Sequence, residues 1–82
     1  MDKIENLKQE ILANSPENFK TLVNDAIEFA QEAHKGEHRE SGEDFIIHPL
    51  NTALTIAKIG LDTDTILASL LHSLAHRQDK ME

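Results

Sequence analysis

Apolar residues recur along this chain at helical spacing, in four blocks separated by polar or glycine-bearing breaks. Ile4, Leu7, Ile11 and Leu12 fall at i, i+3, i+7 and i+8, which predicts an amphipathic helix over Lys3–Ala13. Asn14-Ser15-Pro16-Glu17 then reads as a break and restart. Ser15 suits the N-cap of a second helix, Pro16 its first position, and Glu17 the positive end of its dipole. That helix carries Phe19, Leu22, Val23, Ala26, Ile27, Phe29, Ala30 and Ala33 on a wide apolar face, and Gly36 ends it as a C-terminal cap. Residues 36–47 form a polar loop closing on Phe45-Ile46-Ile47, a run too short to be a strand. Pro49 opens a third helix bearing Leu50, Ala53, Leu54, Ile56, Ala57 and Ile59, which Gly60 stops. Asp62 or Asp64 caps a fourth helix reaching about residue 77, ahead of a polar tail at residues 78–82.

The fourth block differs from the others. Ile66, Leu67, Ala68, Leu70, Leu71, Leu74 and Ala75 point nearly all round the helix. A helix apolar on every side is buried on every side, and three short companions hardly cover it. A homodimer, or a larger protein partner docked through this helix, is the expectation. The fold class is all-α, a short array of four helices over residues 1–82.

Size and composition narrow the function. Eighty-two residues make a single domain at most, and such a chain buries only about 60% of its unfolded surface. There is no cysteine, so disulfide staples and thiolate metal sites are excluded. Fifteen acidic residues against eight basic ones give a formal charge of −7. No basic stripe suits nucleic acid, and the long-range field repels polyanions in general. A phosphate-bearing ligand therefore needs a local positive site or a divalent metal. The N-terminus lacks a signal-peptide pattern, and no apolar run approaches the roughly 20 residues that span a bilayer. A cytoplasmic protein, with neither a nucleic-acid nor a membrane partner, is expected.

The chemistry-bearing residues gather in residues 33–49, Ala-His-Lys-Gly-Glu-His-Arg-Glu-Ser-Gly-Glu-Asp-Phe-Ile-Ile-His-Pro, and in the later run around His72. A helix hairpin that brings His48 and His72 together supplies half of a metal site. Carboxylates should supply the other half, and none stands beside them in sequence. His72 and His76 lie four apart on one helix face; with His48 they would make a three-histidine set of the kind zinc accepts. The alternative is that His48 and His72 are buried and hydrogen-bonded with no ion. His34 and His38 suit surface or capping roles. Arg39 serves either a ligand's base or phosphate, or an ion pair to Glu37, Glu40 or Glu43. Ser41-Gly42 makes a turn that delivers Phe45 and His48. Phe19, Phe29 and Phe45 read as core.

Ala33, His34, Gly36, Arg39, Ser41, Gly42, Glu43, Phe45, Ile46, His48 and Pro49, followed by Gly60-Leu61-Asp62, Asp64-Thr65-Ile66 and Ala68-Ser69-Leu70-Leu71-His72, occur in an order that resembles the N-terminal hydrolase domain of the RelA/SpoT homologue family. The resemblance covers about residues 26–73. It implies an HD-domain fold and removal of the 3′-pyrophosphate from guanosine tetra- and pentaphosphate alarmones with a manganese ion. It also implies that His48 and the family's His-Asp pair, whose histidine is His72, hold the metal, and that Arg39 packs against the guanine with Ser41 in the nucleotide-binding loop.

The sequence departs from that pattern where the chemistry is done. Ser73 replaces the motif's aspartate, His76 and Arg77 replace a following Glu-Asp pair, Glu40 stands where a second basic residue is common, and the segment bearing a distant metal-binding aspartate is absent. Manganese prefers carboxylate oxygens with imidazole, and making a nucleophile from bound water needs a firmly held ion. The expectation is a truncated, catalytically inactive, alarmone-hydrolase-like HD domain serving as a binding or interaction module, with no catalytic residue and no cofactor. The rival is a divalent-metal-dependent (p)ppGpp 3′-pyrophosphohydrolase, or a fragment of one, using manganese or zinc.

Overall fold

Four α-helices appear where the apolar blocks predict them, and identifiable side chains set their ends. The computed structural model describes residues 2–60 and 62–81, with 75–81 as helical backbone only. Helix α1 spans Lys3–Ala13, and Asp2 caps it by accepting from the Glu5 N–H at 2.8 Å. At its other end the Lys20 ammonium donates to the carbonyls of Leu12 at 2.6 Å and Ser15 at 3.3 Å, where the helix dipole favours a cation. The Ser15 hydroxyl donates to the Ile11 carbonyl at 2.7 Å, so this residue closes α1 and does not cap the next helix as expected. A single 3₁₀ turn, Glu17–Phe19, intervenes before α2, which spans Lys20–Ala33.

Helix α3 spans Ile47–Ile59, starting ahead of Pro49. Proline is tolerated there because the N–H groups of a first turn have no partner within the helix. Gly60 ends α3 at φ 88°, a left-handed conformation that a side chain would strain. Helix α4 spans Thr63–Met81 and so takes in residues 78–81, read from the sequence as tail.

Asp62 begins α4. Its Oδ1 accepts from the Thr65 hydroxyl at 2.7 Å and the Thr65 N–H at 3.0 Å. These bonds, the hydroxyl's foremost, hold its carboxyl below the usual aspartate range against the smaller upward push of desolvation. A depressed folded-state value means that the cap's contribution is fully present above the ordinary aspartate range and is lost as pH falls through the lower folded value. Acidification through that window should lower the protection of the Thr65 amide proton, measured against its intrinsic exchange rate, before that of the core amides falls. Asp62→Asn should remove the pH dependence of that protection.

Helix α1 packs on α3 and α2, while α4 packs on α2 and α3. Each contributes to one core, in which Ile11, Val23, Ile27, Leu50, Ile66 and Leu70 are the largest fully buried side chains. The wide face of α2 is only partly used. Val23, Ile27 and Ala30 are buried, whereas Phe19 and Phe29, expected in the core, are 44% and 62% exposed. Among the described residues no helix is long and apolar enough to cross a membrane.

Candidate functional site

The loop between α2 and α3 is held as a short hairpin. His38 and Asp44 form an isolated antiparallel bridge, the Arg39 N–H donates to the Glu43 carbonyl at 2.9 Å, and the Phe45 N–H donates to the Glu37 carbonyl at 2.9 Å. At the tip the Gly42 N–H donates to the Arg39 carbonyl at 2.8 Å, with Gly42 at φ 92°. Ser41 serves this turn, its hydroxyl oxygen accepting from the Glu43 N–H at 3.4 Å. Ile46 and Ile47 are buried and anchor the hairpin, which places Arg39 beside the start of α3.

His48 stands in the first turn of α3, and His72 stands on α4. Both line one groove of about 530 Å³ between these helices, together with Phe45, Pro49, Ser69 and Ser73. The Arg39 guanidinium lies on His48, its Nη1 donating to Nδ1 at 3.4 Å. Glu37 and Glu43, two of the acids expected to pair with Arg39, engage His34 and Lys3 instead. The backbone of residue 76 belongs to α4, but the His76 side chain, the third member of the expected set, lies outside the described residues.

His34 is the residue that the sequence reading misplaced. It is the C-cap of α2, as expected, but its side chain is buried, 2% exposed, and not at the surface. Its Nδ1 meets Glu37 Oε1 at 3.1 Å, its Nε2 meets Ser73 Oγ at 3.0 Å, and its ring packs 4.8 Å from that of Phe45. Ser73 is itself buried and donates its hydroxyl proton to the Leu70 carbonyl at 2.7 Å. The end of α2, the hairpin and α4 are thus tied together behind the groove. His38 stays at the surface, with Nδ1 3.1 Å from the Gly36 carbonyl and Nε2 3.0 Å from Asp44 Oδ1. The signal that could have separated the two histidines was the helical register of α2, which carries His34 toward the same side as Ala30 and Ile27.

Among the described residues the donors do not by themselves fit manganese or zinc. Among the described residues no group of three or more His, Asp or Glu side chains converges as a metal site would need. Ser73 offers a neutral hydroxyl already engaged with His34 and Leu70. A guanidinium only donates, so the Nδ1 of His48 must accept, and the neutral ring carries its proton on Nε2. A metal-binding imidazole needs the reverse, donating one N–H to an acceptor and giving the other nitrogen's lone pair to the ion. The guanidinium also puts a positive charge against the same imidazole, which opposes a dication on its other nitrogen.

A family model described as HD domain matches residues 26–82. The guanosine-3′,5′-bis(diphosphate) 3′-pyrophosphohydrolase of Aquifex aeolicus is 41% identical over 71 residues, covering 87% of this chain and 10% of that protein. The bifunctional (p)ppGpp synthase/hydrolase SpoT of Escherichia coli is 39% identical over 70 residues, covering 85% of this chain and 10% of that protein. The pyrophosphohydrolase of Borreliella burgdorferi is 47% identical over 49 residues, 60% of this chain and 7% of that protein. This chain spans about a tenth of the length of these relatives. No solved structure matches it. The chain belongs to the HD-domain family and corresponds to the HD-domain portion of the RelA/SpoT homologues.

Proposed function

We propose that this chain is a catalytically silent form of the alarmone-hydrolase HD fold, acting as a binding or interaction module. The observation that carries the reading is Ser73. It occupies the position of the motif's aspartate and is committed to His34 and Leu70, so no carboxylate charge reaches the groove from that position. The ligand that the relatives' names suggest is a guanine alarmone, and the reading takes the module as cytoplasmic. Helix α4 is the surface for association with a second copy or a larger protein: Leu71 is 55% exposed, and Leu67 and Leu74 are half-buried.

One observation favours the rival reading, a divalent-metal pyrophosphohydrolase using His48, His72 and His76: His48 and His72 do share a groove. The two separate cleanly. Incubated with guanosine tetraphosphate and manganese or zinc, the chain should release no pyrophosphate above the protein-free blank. Turnover that rises with metal and vanishes in His72→Ala would establish the enzyme.

A further inference from the structure

Among the described residues five large apolar side chains stay exposed, and four of them, Phe19, Leu22, Phe29 and Leu71, lie along the seam between α2 and α4. We propose that this seam is a docking groove for an amphipathic helix of another protein, one whose apolar stripe is flanked by lysine or arginine. The proposal rests on the reading of this chain as an interaction module and names the class of its partner.

Helical register builds the groove. Helices α2 and α4 pack together and run in the same direction: Leu22 and Thr63 line one pit near their starts, and His34 meets Ser73 near their ends. From Leu22, the positions Ala26, Phe29 and Ala33 follow at i+4, i+7 and i+11, on the flank of α2 beside the buried Val23, Ile27 and Ala30. From Thr63, the positions Leu67, Leu71 and Leu74 follow at i+4, i+8 and i+11. Ala26, Ala33, Leu67 and Leu74 are half-buried and form the floor, while the exposed Phe29 and Leu71 form its walls. At one end the floor opens into a pit of about 280 Å³ between Phe19 and Leu22 on one side and Thr63 and Asp64 on the other. The stripe from Leu22 to Ala33 is about 16 Å long, room for about three turns of a second helix.

Charge selects the partner. Asp25 and Glu32 are the helical neighbours of Leu22 and Phe29, and Asp64 is that of Leu67. All three acids are exposed, and none makes an ion pair among the described residues. Lys3, Lys8 and Lys58 pair elsewhere, with Glu43, Glu28 and Glu10. The apolar seam therefore carries an unneutralised acidic rim on both helices. A second copy, of formal charge −7, would set its own carboxylates against that rim, and like charges opposed across an interface cost affinity. The negative surface of an anionic membrane is disfavoured for the same reason. A helix with basic residues beside its apolar stripe satisfies both features: the stripe fills the seam, and the flanks fix its orientation against the rim.

The probes are two labelled peptides of about four helical turns, with leucines on one face and either lysines or glutamates on the other. The lysine peptide should bind the whole chain and shift the amide resonances of Phe29, Leu67 and Leu71, and the glutamate peptide should not bind. Phe29→Ser, at an exposed position that leaves the core intact, should weaken binding about tenfold or more. Asp25→Lys, Glu32→Lys and Asp64→Lys combined should reverse the preference, so that the glutamate peptide binds and the lysine peptide does not. Equal binding of the two peptides, binding of neither, indifference to Phe29→Ser, or shifts confined to other surfaces would overturn the proposal. A dimer in sedimentation that Phe29→Ser dissociates would give the seam to a second copy, and phosphatidylglycerol-vesicle binding lost in the same variant would give it to a membrane; either overturns the proposal. Metal-dependent turnover of guanosine tetraphosphate would instead overturn the silent-module reading, whatever the peptides do.

Discussion

His34→Ala should lower the stability of this chain by about 2–4 kcal/mol, the largest loss expected from any polar position described here. The ring is buried, and its removal leaves a cavity between the hairpin and α4. It also deletes the contacts to Glu37 and Ser73, which join segments distant in sequence. Ser73 keeps its bond to the Leu70 carbonyl, so the loss combines packing with the His34 contacts and leaves no newly orphaned hydroxyl proton. In a domain of this length such a change lowers the thermal midpoint by roughly 10–25 °C. Circular dichroism melts of His34→Ala beside His38→Ala would check it. The exposed His38 should change stability by no more than about 0.5 kcal/mol. Equal, small effects at both positions would mean that His34 does not hold the groove together.

The second large effect concerns the metal. Ser73→Asp should raise manganese affinity at least a hundredfold, because outer-sphere partners alone change metal affinity by about 10–100-fold and this change supplies a direct charged ligand. His34 Nε2 lies 3.0 Å from the hydroxyl being replaced, within hydrogen-bond reach of the new carboxylate. Adding Arg39→Gln should raise affinity again, by freeing His48 to turn its lone pair toward the ion. If the two substitutions were simply without effect, proton placement on His48 would not be what opposes the metal. Manganese electron paramagnetic resonance, which distinguishes free from bound ion, reads both steps.

The helices were legible because their signals are local. The apolar spacing in Lys3–Ala13 matches α1 at both ends, and Gly60 terminates α3 by a conformation that glycine alone adopts without strain. The loop residues that resemble the alarmone hydrolases pointed to His48 and His72 as neighbours, and both line the groove. What escaped were tertiary relations. Phe19 and Phe29 satisfy a helical apolar pattern, yet the core takes only the narrower strip of Val23, Ile27 and Ala30. His34, just past the end of α2, reads as polar surface until α4 is known to cross behind it with Ser73. Arg39 had three nearby acids to choose from, and only the closure of the hairpin shows that it meets His48. Pro16 looked like the first residue of α2, but the chain spends one 3₁₀ turn before the α-helix begins.

The shared origin of these surprises is physical. His34 and Arg39 each contact a residue on another element, and no local propensity encodes such a pairing. Together the two contacts engage, with hydrogen bonds, Ser73 and His48, two positions that the resemblance implies for metal ligands.

The most direct trial of this account is a manganese titration of the unaltered chain, followed by the resonance signal of the free ion. The account predicts that added manganese stays free at protein concentrations where Ser73→Asp takes it up. One tightly held ion per unaltered chain, released by His48→Ala, would contradict it.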